Sequence, residues 1–133
     1  MRPFDVLVAS HGSLASSMVA AATMICGELE RVATIGLESH ESPEGFLSRL
    51  EPLVDRRRPT LILTDLYGGT PHNVACVLAR RGDGIRCIAG LNLGLFIEAI
   101  TAGDELDDAL VDHLVASARE GVIEVAPRTA LAS

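Results

Sequence analysis

The run Thr60-Leu61-Ile62-Leu63-Thr64 is apolar, rich in branched side chains, and stops at a carboxylate, Asp65. Leu66-Tyr67-Gly68-Gly69-Thr70-Pro71 follows at once, and then Val74, Val77 and Leu78 recur at helical spacing. That order reads as strand, sharp turn, helix. Gly68-Gly69 lets the backbone take positive φ and leaves its N–H groups uncovered. Thr70 suits an N-cap, and Pro71 then fits the first helical position. A carboxylate therefore ends a buried strand just where a helix N-terminus, itself attractive to anions, begins. Something nearby must need an acceptor or a negative charge, and His11 is the candidate.

The same strand–turn–helix order recurs along the chain. Phe4 to Ala9 is a first strand, and its unbroken apolar core Val6-Leu7-Val8 implies burial on both faces. Ser10-His11-Gly12-Ser13 is the turn after it. A helix follows with Leu14, Met18, Ala21 and Ile25 on its apolar face, ended by Gly27. Val32 to Leu37 is the second strand. Ser42-Pro43 caps a helix carrying Phe46, Leu50 and Leu53, with Arg56-Arg57-Arg58 as its solvated end. Ile85 to Ala89 is the fourth strand, Asn92 to Thr101 a short helix, and Asp104 to Asp107 the acidic start of another that ends at Gly121. Val122 to Val125 reads as a last short edge strand, antiparallel to the rest, and Pro127 to Ser133 as a tail.

Alternating strands and helices imply an α/β fold, an open, mainly parallel, doubly wound sheet. The expected strand order is 2-1-3-4, with a switch point between strands 1 and 3. Ligands in such sheets bind beyond the carboxyl ends of the strands at that point. His11 and Asp65 are the residues that arrive there. The 133 residues fit one domain, 1–133.

Composition removes several function classes. A net charge of −7 argues against nucleic acid and anionic membranes as partners. All 11 basic residues are Arg, so P-loop and Schiff-base lysine chemistry are excluded. No signal peptide and no apolar stretch of about 18 residues is present, so a cytoplasmic protein is expected. Cys26, Cys76 and Cys87 lie in apolar runs without C-x-x-C spacing and read as small core residues. His40 and His113 have no ligand-spaced neighbours, so neither a metal nor a cofactor is expected. No G-x-S-x-G elbow accompanies Ser13, which argues against a serine hydrolase.

A neutral imidazole has one donor and one acceptor nitrogen. An Asp65 that accepts from one ring N–H fixes the tautomer and leaves the other nitrogen as a nucleophile, with a carboxylate to stabilise the cation formed on attack. The N–H groups and hydroxyls of Gly12, Ser13, Gly68, Gly69 and Thr70 can hold the oxygens of a phosphoryl group. Phosphoryl transfer needs little beyond such positioning. The residues thus point to a transient phosphohistidine. Taken singly, His11 reads as a capping residue, Asp65 as an N-cap, and His72 as a residue at the rim of the crevice.

Ser10-His11-Gly12-Ser13-Leu14-Ala15, Thr64-Asp65-Leu66-Tyr67-Gly68-Gly69-Thr70-Pro71-His72-Asn73 and Ala89-Gly90-Leu91-Asn92-Leu93 resemble the enzyme IIA domain of the mannose-type sugar phosphotransferase system, over roughly residues 4 to 125. The resemblance implies a phosphotransferase component that accepts a phosphoryl group from phospho-HPr on His11 and passes it to a IIB component for sugar uptake. It implies that Asp65 holds the other ring nitrogen and that Thr70 neighbours the phosphoryl group. It also implies a homodimer formed by exchange of the last strand, here Val122 to Val125, with membrane contact only through the transporter subunits. Gly94 stands where many members carry Pro, which predicts a more mobile loop before the fourth helix. His72 stands where an apolar residue is common, which predicts a different partner surface. The chain ends soon after the last expected strand, so no fused IIB domain is expected. The alternatives are a IIA that only signals nutrient status and a non-catalytic anion-binding module. The Gly-Gly-Thr-Pro turn argues against the phosphocarrier domain of dihydroxyacetone kinase.

Overall fold

A computed structural model describes residues 2–82 and 84–125. Its elements are β1 (Asp5–His11), α1 (Leu14–Cys26), β2 (Val32–Leu37), α2 (Pro43–Leu50), β3 (Thr60–Thr64), α3 (Thr70–Arg81), β4 (Ile85–Ala89), α4 (Leu93–Thr101) and α5 (Asp108–Glu120). A 3₁₀ turn over Glu51–Leu53 extends α2. The four strands form one sheet in the order β2-β1-β3-β4, and all pairs are parallel.

Side-chain alternation divides the strands between two cores. Val6, Val8, Leu61, Leu63 and Ile88 face α1, α4 and α5 together with Phe96 and Leu114. Leu7, Ala9, Ile35, Ile62 and Ile85 face α2 and α3 together with Phe46 and Leu78. Every residue of β3 is buried, as a central parallel strand with helices on both faces requires. Because α1 and α3 cover opposite faces, the chain switches direction between β1 and β3. Their carboxyl ends open a crevice there.

Several expectations from the sequence need correction. β1 runs on to His11, because the pairing of Ser10 with Gly36 and His11 with Leu37 continues the ladder past Ala9. The buried residues of α1 are Ala15 and Ala22, with Met18 and Val19 half-buried beside them, while Leu14 and Ile25 are exposed. The helix lies close enough to the sheet that alanine fills the contact, which rotates the buried stripe by one residue. Cys26, the last residue of α1, is exposed rather than in the core, whereas Cys76 and Cys87 are half-buried. Burial, and then the neighbouring Cys76, pushes the Cys87 thiol up to about 12.

α3 is capped by Gly69, so Thr70 is its first residue and Pro71 its second. α5 begins at Asp108 because the Asp107 side chain, and no earlier carboxylate, accepts the Leu110 N–H at 2.9 Å. Gly94 falls inside the first turn of α4, behind an Asn92 side chain that accepts the Leu95 N–H at 2.8 Å. Val122 to Val125 forms no strand in the single chain; Val122, Ile123 and Val125 are exposed beyond the end of α5. A segment this short needs a sheet edge to pair with before it takes strand geometry. Residues 126–133, including the expected tail, lie outside the described residues, as does Asp83 in the turn before β4.

Arg2 is an addition that the sequence does not announce. It is buried, and it donates to the carbonyl oxygens of Phe4 at 2.6 Å, Ile100 at 3.3 Å, Arg31 at 3.4 Å and Glu30. These bonds tie the N-terminus to the α1–β2 loop and to the end of α4. No helix among the described residues is long and apolar enough to cross a membrane.

Candidate functional site

His11 is the last residue of β1, and Asp65 directly follows β3, so neighbouring strands deliver them to one crevice. Asp65 Oδ2 accepts two bonds from the same residue. One comes from the His11 backbone N–H at 2.9 Å and the other from ring Nδ1 at 3.0 Å. An ionised carboxylate only accepts, so the proton sits on Nδ1 and Nε2 carries the free lone pair. The backbone bond fixes the position of the residue, and the ring bond fixes its tautomer.

Two helix N-termini flank that ring, because α1 starts three residues after His11 and α3 starts five residues after Asp65. Their unpaired amides give the crevice a positive field suited to an anion. The turn into α1 is held from below by Ser10, which is fully buried. Its Oγ accepts the Ala15 N–H at 2.8 Å and donates to the His11 carbonyl at 3.1 Å. Ser13, at the N-cap position, makes no side-chain cap bond, so its hydroxyl stays on the open side.

The five residues expected to hold a phosphoryl group fall into two groups. Gly12, Ser13 and Gly69 adjoin His11, but the Gly12 and Gly69 N–H groups donate to the Leu37 and Leu66 carbonyls at 2.8 and 3.0 Å, so neither is the free donor expected from the sequence. Gly12 and Ser13 line a cleft of about 790 Å³ with His11, on the β2 side. Gly69 lies against the ring: a Cβ built there would stand 2.8 Å from His11 Cε1 and 3.4 Å from Nε2. Any larger residue there would have to push the imidazole aside. Gly68 and Thr70 shape the turn at one remove. Gly68 has a φ of +84°, and its carbonyl accepts from the Asn73 side chain at 3.1 Å. Thr70 opens α3 half-buried, and its hydroxyl donates no hydrogen bond among the described residues.

Leu66 and Tyr67 project from the β3–α3 loop, strongly exposed, and give the crevice an apolar lip. His72 stands behind that lip and is half-buried. Its ring centroid is 5.0 Å from that of Tyr67, and its Nε2 is 3.5 Å from Cys76 Sγ. On the opposite wall of the cleft, Arg49 grips Glu41 with two bonds of 2.8 and 2.6 Å. This hydrogen-bonded guanidinium, helped by the Glu38 N–H, lowers the Glu41 carboxyl to about 2. Among the described residues no three His, Cys, Asp or Glu side chains are placed to share a metal ion.

The site residues that sequence reasoning missed are Ser10, Gly36, Arg49 and Asn73. Ser10 and Asn73 sit within the motifs, and a local side-chain-to-backbone bond is the signal that finds them. Gly36 and Arg49 reach the site only through the packing of β2 and α2.

This chain is similar to several known proteins. The family model described as "PTS system fructose IIA component" matches residues 5–118. The mannose-specific EIIAB component of Escherichia coli K12 is 32% identical over 124 residues, 88% of this chain. This chain spans 38% of that longer relative. The sorbose-specific EIIA component of Klebsiella pneumoniae is 34% identical over 114 residues, 84% of each chain. Among solved structures, the mannose/sorbose-specific IIA subunit from Enterococcus faecalis superposes with a TM-score of 0.87 at 33% identity. That likeness covers 95% of this chain and 96% of the other. The switch-point crevice, its paired histidine and aspartate, and a family match over most of its length together establish that this chain belongs to the mannose-type EIIA family of phosphotransferase-system IIA components.

Proposed function

We propose that this chain, residues 1–133, is a cytoplasmic IIA phosphocarrier domain that takes a phosphoryl group from phospho-HPr onto His11 and passes it to a IIB component during sugar uptake. The observation that carries this reading is the single oxygen Asp65 Oδ2 bonded to both the backbone and Nδ1 of His11. It leaves Nε2 as the open nucleophile between two helix N-termini.

In the forward step the Nε2 lone pair attacks phosphorus in line with the donor. A new N–P bond forms as the donor's N–P bond breaks, and the donor imidazole leaves with that electron pair. Positive charge grows on the His11 ring and is met by Asp65 through the Nδ1–H. The Ser13 N–H and hydroxyl are the groups offered to the arriving oxygens, while Gly12 and Gly69, whose N–H groups donate to the Leu37 and Leu66 carbonyls, shape the space around them. Gly68 and Thr70 hold the turn in shape. Transfer to IIB is the same step reversed with a new acceptor, so a site built symmetrically for attack and departure suits a carrier. The exposed lip of Leu66 and Tyr67 gives either partner an apolar surface on which to dock.

The protein acts as a homodimer in this reading. Among the described residues β4 pairs only with β3, and Val122, Ile123 and Val125 are exposed apolar residues just beyond α5. Exchange of that segment between two chains would cover the open β4 edge of each.

Incubation with phospho-HPr tests the function directly. Covalent, acid-labile phosphorylation followed by discharge to a IIB component is the expected result. Reversible phosphate binding without a covalent product would instead identify an anion-binding module.

A further inference from the structure

The cleft wall formed by β2 and α2 contains a contact that only one residue type permits. The Gly12 carbonyl oxygen lies where a Cβ of Gly36 would be, 1.9 Å from the ideal position. Any side chain at Gly36 would meet backbone, which cannot yield as a flexible side chain can. Gly36 has no need of glycine for its own φ, since it is not among the residues with positive φ. The space alone demands it.

Five further bonds hold this contact in place. The Gly12 N–H donates to the Leu37 carbonyl at 2.8 Å. Arg49 Nη2 donates to the Gly36 carbonyl at 2.7 Å. Glu41 fixes the same guanidinium and also accepts the Glu38 N–H at 3.0 Å. Arg49 is thus held at both ends, and β2 presents a fixed surface to the turn after His11.

The consequence for the site follows from peptide planarity. The Gly12 carbonyl points toward β2, so the N–H of the same peptide unit, that of Ser13, points the other way. With the order β2-β1-β3, that direction is the side on which Asp65 holds the His11 ring. The Ser13 N–H has no acceptor among the described residues. It is free to donate to a phosphoryl oxygen on Nε2, where a donor already in position needs no reorganisation.

We propose that Gly36, braced by Arg49 and Glu41, is a positioning residue for phosphoryl transfer: it seats the Gly12 carbonyl against β2 and so aims the Ser13 N–H at the phosphoryl group. The inference rests on the phosphocarrier reading and adds to it which peptide unit receives the oxygens and what sets its orientation.

The test compares wild type, Gly36→Ala and Arg49→Gln by rapid-quench phosphorylation with phospho-HPr and by amide NMR before and after phosphorylation. In wild type the Ser13 amide proton should move downfield when His11 is phosphorylated. Gly36→Ala should lower kcat on the order of 10²-fold, the cost of misplacing one preorganised donor, with KM for phospho-HPr unchanged. The Ser13 shift should be lost. Arg49→Gln, a change on the cleft surface, should act in the same direction to a smaller extent, and it decides the matter if Gly36→Ala does not fold. A purely structural role would lower the melting temperature yet leave the Ser13 shift and kcat intact, and that result overturns the inference. So does a phosphorylated wild type whose Ser13 amide does not move. A wild type that phospho-HPr does not label removes the phosphocarrier reading itself, a different failure from labelled wild type with unaffected variants.

Discussion

Replacing Asp65 by Asn keeps the shape of the side chain and removes its charge, and the structure sets the size of the effect. Asp65 Oδ2 accepts from both the backbone N–H and Nδ1 of His11, while Oδ1 is buried with no partner among the described residues. In one amide orientation Asn keeps both bonds but places its NH₂ where no acceptor waits. In the other the NH₂ faces two donors and forces the ring out of its tautomer. The first is therefore the better case. Unit charges about 4 Å apart interact by about 4 kcal/mol at an effective dielectric of about 20. With roughly half the imidazolium charge developed at the transition state, about 2 kcal/mol is lost. The His11 ring is 46% exposed, and solvent trims that figure. Weakening the charge-assisted ring bond restores about 1 kcal/mol to the loss. With the Coulombic share trimmed to about 1 kcal/mol, a total of about 2 kcal/mol is a slowing on the order of 30-fold. Rapid-quench transfer from phospho-HPr measures it, with circular dichroism to confirm the fold. A folded Asp65→Asn protein that transfers at the wild-type rate would show that Asp65 merely ends the strand.

Three other outcomes follow from the geometry. Gly69→Ala introduces a Cβ 2.8 Å from His11 Cε1, so the ring must move by several tenths of an ångström, and phosphorylation should slow about tenfold or more in the same assay. Because Gly69 has a φ of −76°, that loss should come without a large drop in melting temperature. Arg2→Met strips the carbonyls of Phe4, Glu30, Arg31 and Ile100 of a shared donor, and urea denaturation should show a loss of about 2 kcal/mol with phosphorylation kinetics unchanged. Light scattering at micromolar concentration should give a dimer, and truncation after Gly121 should abolish it; a monomeric full chain would refute strand exchange.

Much of this molecule is legible in its sequence because its strands are parallel and alternate with helices. β2, β3 and β4 begin and end where the apolar runs do, although only the central β3 of these is buried throughout and the edge strands β2 and β4 are mostly half-buried. The strand order and the meeting of His11 with Asp65 follow from the same alternation of strands and helices. The parts not legible depend on how closely elements approach. The stripe of α1 is displaced because Ala15 and Ala22, not Leu14 and Ile25, fit against the sheet. Thr70 yields the cap of α3 to Gly69, whose bare Cα also makes room for the imidazole. Gly36 looks like any glycine in a strand until the Gly12 carbonyl is seen against it. The segment after Gly121 has strand composition, but among the described residues it pairs with no sheet edge and so takes no strand geometry.

The central claim is that Asp65 reserves Nδ1 and leaves Nε2 of His11 to carry the phosphoryl group. Phosphorylating the protein with phospho-HPr and recording ¹⁵N and ³¹P spectra of the product tests it at the level of the atom. The expected product is a single phosphohistidine, substituted at Nε2 and mapped to His11 by mass spectrometry. Substitution at Nδ1, or a label on His40, His72 or His113, would contradict the account.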